Sequence, residues 1–242
     1  MTIRRPSGRV TQKDGSMLTF YFNASPNPAK VALFLEESGL PYEAIPIDTG
    51  TGEQFSAAFG ALNPNSKVPV IVDDGVRVFD SSAILLYLSE KTGRFLAGDS
   101  AHARGELLSW LMFVASGIGP YSGQAVHFRH HAPPGQQYAS DRYQYEARRH
   151  YSILNTQLAS RPFLLGETYT IVDMAAWGWA RVVPFVLGDT AWSTMPHLKR
   201  WFDTISARPA AIRANALKDR FTFKTEMDEE ARRIMFPHIV KP

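Results

Sequence analysis

The feature that most restricts the fold is a change of texture near residue 95. Residues 17–93 alternate short apolar runs with helical periodicity, whereas residues 101–213 carry helical periodicity alone. One sheet cannot run through such a chain, so the pattern implies a mixed α/β unit followed by an all-helical one. A length of 242 residues suits two modest domains. The boundaries implied are a loose, polar N-terminal extension over 1–15, a mixed domain over 16–95 and a helical domain over 101–242.

Within the first unit the order of elements is β-α-β-α-β-β-α. Residues 17–22 (MLTFYF) read as a buried strand. Asn27 followed by Pro28 reads as a cap and first helical residue, opening a helix over 28–38 that Gly39 and Pro41 close. Residues 42–47 form a second strand, parallel to the first through a right-handed crossover. A Gly-rich loop over 49–52 leads to a short helix over 53–59. Residues 68–72 and 76–79 pair across an Asp-Asp-Gly turn. Ser81 or Ser82 then caps a helix ending near Gly93.

In the second unit a helix opens at 105–113, and 117–124 reads as a Gly-containing break. Pro133-Pro134-Gly135 is a loop, and 141–158 a long amphipathic helix with Tyr151, Leu154 and Leu158 on one side. Thr170-Ile171-Val172-Asp173 has the spacing of a capping box, with Asp replacing Glu or Gln, and should stabilise the start of an apolar helix by about 1 kcal/mol. Residues 196–205 and 209–216 complete the set. Residues 222–233 read as a helix or as a disordered tail.

The sequence contains no cysteine. Disulfides, thiolate metal sites and a protein thiol nucleophile are thereby excluded, and any thiol chemistry must use a thiol brought by a ligand. The net charge of +3 favours a small anionic ligand, but Lys and Arg are interspersed with acids and form no stripe for nucleic acid. No apolar run reaches the roughly 18 residues of a membrane span, and no apolar segment of the secretory kind follows Met1. The expected compartment is the cytoplasm.

Four segments in order, FYFNASPNPAKVALFLEE, NPNSKVPVIVDDG, FDSSAILLYL and TYTIVDMAAWGWARV, resemble the cytosolic glutathione transferase superfamily over roughly residues 17–216. SPNPAK, GTGEQF and PYSGQAVHF are most similar to its bacterial Nu class, whose activities include glutathione-dependent disulfide reduction, some peroxidase activity and weak conjugation. The resemblance implies a thioredoxin-like N-terminal domain and an all-α C-terminal domain, a homodimer, and glutathione as substrate or cosubstrate without a metal.

It also implies roles for particular residues. Val68-Pro69 reads alone as an ordinary trans junction before a strand; the family places a cis bond there and pairs the Val68 backbone with the cysteinyl part of glutathione. Asp80 and Ser81 precede a helix whose N-terminus suits a carboxylate, and the family binds the γ-glutamyl group at that point. Lys67 and Gln54 fall near the glycyl end. Many family members use a Tyr, Ser or Cys after the first strand to hold the glutathione sulfur as thiolate. Tyr21 lies inside the strand and reads as core, which leaves Ser25 and Asn27, either of which can donate to sulfur. Asn27 is equally readable as a plain N-cap. Pro28 departs from the family, which often has Gly there. Arg142 matches an Arg that reaches ligand carboxylates.

Gln124, His127, Phe128, His130 and His131 make a polar-aromatic cluster better suited to a second-substrate pocket or to contacts with a second glutathione than to a metal, since no acidic partners stand at ligand spacing. Trp177 and Trp179 read as core. Three functions fit: glutathione-dependent reduction of small disulfides and possible peroxides, conjugation of glutathione to small electrophiles, and a binding protein without catalysis.

Overall fold

The computed structural model describes residues 17–238, and the expected extension over 1–15 lies outside them. Four strands form one mixed sheet in the order β2-β1-β3-β4. β1 (Leu18–Phe22) is parallel to β2 (Tyr42–Pro46) and antiparallel to β3 (Val70–Asp73), which pairs with the edge strand β4 (Val76–Phe79). The β3–β4 turn places Asp74 at φ 50° and Gly75 at φ 79°, the left-handed pair that a tight two-residue hairpin requires.

The alternation of β1 divides its side chains between two faces. Leu18, Phe20 and Phe22 are buried under α1 (Pro26–Ser38) and α3 (Ser81–Thr92), together with Phe34, Ile84 and Leu88. Tyr21 points the other way, edge-on to Phe59 of α2 (Ala57–Leu62), in a smaller cluster with Ile47 and Val70. Tyr21 is therefore a core aromatic, as its place in the strand suggests.

From Ala101 onward the described residues form helices joined by turns and irregular segments, with one isolated bridge between Phe163 and Gly166. These helices are α4 (Ala101–Phe113), α5 (Gly119–His130), α6 (Gln137–Gln157), α7 (Ile171–Ala180), α8 (Val183–Leu187), α9 (Pro196–Ser206), α10 (Pro209–Ala216) and α11 (Glu229–Met235). α7 is buried at every position, as expected of a central helix apolar all round. Its capping box is formed. Asp173, fully buried, accepts from the Thr170 N–H at 3.0 Å, and also from the Leu164 N–H and Trp201 indole, both at 2.9 Å.

Several sequence expectations are corrected. α1 begins at Pro26 rather than Pro28, with Ser25 at the cap position; both prolines fit the first turn, where backbone N–H groups have no helical partner. α3 is capped by neither Ser81 nor Ser82. Asp80 caps it, at φ 71°, accepting from the Ser82 and Ala83 N–H groups at 2.9 and 3.1 Å. Residues 117–124 do not break the chain of helix. A π-helical turn at Val114–Ile118 joins α4 to α5 without a loop, and its glycine admits a ring: a Cβ on Gly117 would lie 2.5 Å from His150. α4 and α6 each start four residues earlier than the sequence suggests. Of residues 222–233 only 229 onward is helical; the preceding stretch runs extended across the sheet domain, with Phe221 and Phe223 edge-on to Phe22 and the Lys224 N–H bonded to Asp48 at 2.7 Å.

Candidate active site

A cleft of about 560 Å³ opens where β1, β3 and the N-termini of α1 and α3 meet. Ser25 and Asn27, from the start of α1, line one side. Gln54, Lys67, Val68 and Pro69 line the sheet side, and Asp80 and Ser81 the far end. One cleft thus gathers every site residue read from the sequence except Arg142. That side chain lies half-exposed on α6, paired with Glu146 at 2.7 Å, and lines neither this cleft nor the cavity beside it.

The loop before β3 is built around buried Asn63. Its amide donates to the Lys67 carbonyl at 2.7 Å and accepts from the Asn65 N–H at 2.9 Å, presenting Lys67 outward. The Val68-Pro69 bond is cis. Strand pairing starts only at Val70, and among the described residues no hydrogen bond engages the Val68 N–H or C=O. An extended peptide can add there as a short strand.

Gln54 is only 5% exposed. Its amide nitrogen donates to the Thr49 carbonyl at 3.3 Å, but its buried oxygen has no partner among the described residues. An orphaned acceptor in a cleft wall costs about 1–3 kcal/mol and marks a place for a ligand donor. At the far end, the N-terminus of α3 offers backbone N–H groups and a positive dipole end beside the Ser81 hydroxyl, a ready carboxylate site.

The start of α1 resolves what Ser25 and Asn27 do locally. Ser25 sits at the cap position but makes no side-chain capping bond, so its hydroxyl is free to face the cleft. Asn27 is not the N-cap. It lies within the first turn, and its side-chain oxygen accepts from the indole N–H of Trp179, on α7, at 3.1 Å. An indole N–H only donates, so it fixes which end of the amide it meets, and the Asn27 NH₂ is left for the cleft. The indole itself lies over glycines of α5: a Cβ on Gly119 would stand 3.1 Å from its nitrogen, and one on Gly123 3.7 Å from its ring. Trp179 is therefore part of the site's support as well as of the core.

A second cavity, of about 270 Å³, shares Asn27, Asp80 and Ser81 with the cleft and continues toward α5, where Gln124 lines it. The rest of the polar-aromatic cluster lies elsewhere. Phe128 stacks on Tyr143, and His130 stacks on Phe185 at 4.0 Å. His127 and His131 pack against Phe236 at 5.0 and 5.1 Å, and burial lowers the pKa of both. Met235 and Phe236 lay an apolar wall along the main cleft, a contribution the sequence did not disclose. Among the described residues no group of His, Asp or Glu is arranged to hold a metal ion, and no helix is long and apolar enough to cross a membrane.

The chain resembles known proteins in sequence and in fold. The family model for the glutathione S-transferase N-terminal domain matches residues 24–91, and that for the C-terminal domain matches residues 118–209. The disulfide-bond oxidoreductase YfcG of Escherichia coli is 43% identical over 205 residues, covering 82% of this chain and 94% of its own. A glutathione transferase family member from Pseudomonas fluorescens, solved with two glutathiones bound, superposes with a TM-score of 0.78 at 37% identity, over 82% of this chain and 92% of that one. A glutathione transferase from Pseudomonas putida, solved with one glutathione disulfide per subunit, gives 0.77 at 34% identity, over 84% and 92%.

Proposed function

The chain belongs to the glutathione S-transferase family, and from that premise we propose that it binds glutathione in the cleft, holds it as thiolate and uses it to reduce small disulfides. The γ-glutamyl carboxylate meets the α3 N-terminus and Ser81, with Asp80 facing the ammonium group. The cysteinyl backbone pairs with Val68, and Gln54 and Lys67 face the glycyl end. The sulfur then lies at the start of α1, within reach of Ser25 and Asn27.

The observation that carries this reading is the Trp179–Asn27 bond, because it aims an amide N–H donor into a cleft of a chain that has no thiol of its own. A donor to sulfur stabilises the thiolate over the thiol, and the α1 N-terminus adds a favourable dipole. The thiolate attacks one sulfur of the disulfide, forming a mixed disulfide and expelling the other half as thiolate. A second glutathione thiolate attacks the glutathione sulfur of that intermediate, releasing the remaining half and glutathione disulfide. The relatives with two glutathiones or one glutathione disulfide bound support this sequence. Arg142 has no part in it while paired with Glu146.

Nu-class membership, a homodimer and a cytoplasmic setting belong to the same proposal. Support for a dimer comes from the edge strand β4, which leaves Val76 and Phe79 exposed, and from Phe55, a further exposed aromatic of the same domain. A second reading, conjugation to apolar electrophiles, is favoured by the wall of Met235 and Phe236. Paired assays with reduced glutathione separate them: reduction of hydroxyethyl disulfide against conjugation of chlorodinitrobenzene, in wild type, Asn27→Ala and Ser25→Ala. Dominant disulfide reduction that collapses in Asn27→Ala supports the proposal. Dominant conjugation replaces it with the second reading, and glutathione binding without either activity makes the protein a binder.

A further inference from the structure

Lys30 is the anomaly of the first domain. It is 2% exposed, on α1, where a lysine is rarely buried without a counter-charge. Its stem passes α7 at a point that only glycine permits: a Cβ on Gly178 would lie 2.5 Å from Lys30 Cγ. Its ammonium nitrogen donates to Ser81 Oγ at 3.2 Å, the one hydrogen-bond partner it has among the described residues. It also lines the smaller cavity, together with Asn27 and Ser82, whose buried hydroxyl has no partner there. The fold has placed a cation behind the helix N-terminus that the proposed ligand's carboxylate approaches from the front.

The arrangement has a definite consequence for Ser81. While Lys30 is an ammonium, its N–H occupies a lone pair of Oγ, so the hydroxyl hydrogen must turn away and is available to the cleft. A neutral amine can instead accept that hydrogen, and the cleft loses a donor. The ligand-free pocket is poor at holding the charge. Burial lowers the pKa of Lys30 to about 8, with Asp80 the only charged group opposing the shift. The other elements against it present Gly178 and Trp179 from α7 and Gly119, Gly123 and Gln124 from α5, none of which titrates as an acid or base near neutrality. An incoming carboxylate supplies the missing negative charge.

We propose that Lys30 is a positioning residue for the γ-glutamyl carboxylate of glutathione: it acts through Ser81 as a buried cation, and ligand binding draws a proton onto it. The inference rests on the glutathione reading of the cleft. The direction of linkage follows: a group whose pKa is higher in the complex than in the free protein gives affinity that is complete below the free pKa and is lost progressively as pH rises from there through the bound pKa.

The test is calorimetry with S-methylglutathione, whose blocked thiol cannot titrate, at pH 6.5, 8 and 9, with the proton uptake at pH 8 read from the difference between phosphate and Tris buffers. Wild type should take up close to half a proton on binding at pH 8, and its Kd should rise about 5- to 10-fold from pH 6.5 to 9, given a free pKa near 8 and a bound pKa above about 9.5. Lys30→Met should bind without that uptake and with a flatter profile; the ligand's own ammonium contributes equally in both proteins, so the difference belongs to Lys30. Wild-type binding with no proton uptake, or equal uptake in Lys30→Met, overturns the role of Lys30 and leaves the glutathione reading standing. Absence of S-methylglutathione binding to wild type at every pH overturns both. If Lys30→Met does not fold, Lys30→Arg, whose guanidinium stays charged, takes its place: it should bind without that uptake, and uptake equal to wild type overturns the proposal.

Discussion

If Trp179 matters to chemistry only by aiming Asn27, then replacing it should be costly only while Asn27 is present. A hydrogen bond from the Asn27 amide to the thiolate is charge-assisted, worth about 1.5–3 kcal/mol. At 1.36 kcal/mol per pKa unit, Asn27→Ala should raise the bound thiol's pKa by about 1–2 units and lower kcat/KM at pH 7 by about 10- to 100-fold. Trp179→Phe keeps a ring over Gly119 and Gly123 but removes the donor that fixes the amide at 3.1 Å. The bond lost is a neutral one, about 0.5–1.5 kcal/mol, so kcat/KM should fall about 2- to 10-fold and the pH–rate profile should shift upward in the same sense. In the double variant Trp179→Phe should cost less than about twofold, because there is no amide left to orient. The assay is the initial rate of hydroxyethyl disulfide reduction from pH 6 to 9, with the thiolate followed by its ultraviolet absorbance. Additive single and double effects would refute the reasoning and make Trp179 a wall of the cavity with no role through Asn27.

Other consequences follow from local geometry. Gly178→Ala places a Cβ 2.5 Å from Lys30 and 2.6 Å from the Pro26 carbonyl, so α1 and α7 must separate at a cost of about 1–3 kcal/mol, read as a lower melting temperature; Gly60→Ala, with nothing within 4 Å, should leave it unchanged or higher. Asp173→Ala leaves the Leu164 N–H and Trp201 indole N–H buried without an acceptor and removes the Asp173 half of the α7 capping box, which should cost about 3–5 kcal/mol by urea denaturation. Gln54→Leu removes an orphaned acceptor, so the folded protein should be at least as stable while KM for glutathione rises about 3- to 10-fold, a split visible by combining denaturation with kinetics. Phe236→Ala trims the apolar wall and should raise KM for an apolar second substrate about fivefold, with KM for glutathione held within about twofold.

The half of the site that was legible in the sequence is the half that local order dictates. Asp80, Ser81, Lys67 and the Val68-Pro69 junction sit at ends of elements, which turn chemistry and helix-start signals mark within a few residues of chain, while the ligand roles given to them come from the family resemblance. The start of α1 misled for a local reason: Ser25-Pro26 and Asn27-Pro28 are both acceptable openings, and the earlier one prevails because the second proline still falls within the first turn. Arg142 was read as a ligand contact from the resemblance alone; it pairs instead with Glu146 four residues on, the spacing at which helical side chains meet. The illegible half depends on contacts between residues far apart in the chain. Nothing near Asn27 announces an indole 152 positions away, and a lysine on a helix ordinarily reads as a solvated face.

Glycines on other elements supply the missing information. Gly119 and Gly123 read as a break in a helix, yet they let the Trp179 indole lie close enough to reach Asn27, and Gly178 does the same for the Lys30 stem. Each is neutral or unfavourable for helix on its own account, and each has a reason once the partner ring or stem is in place. The two groups proposed to govern the sulfur and the carboxylate, Asn27 and Lys30, lie one helical turn apart on α1, and both are held from α7. Chemistry and docking are thereby tied to one interface, α1 against α7. A substitution that widens this interface, such as Gly178→Ala, should disturb thiolate formation and glutathione affinity together, whereas a substitution at Gln54 should disturb affinity alone.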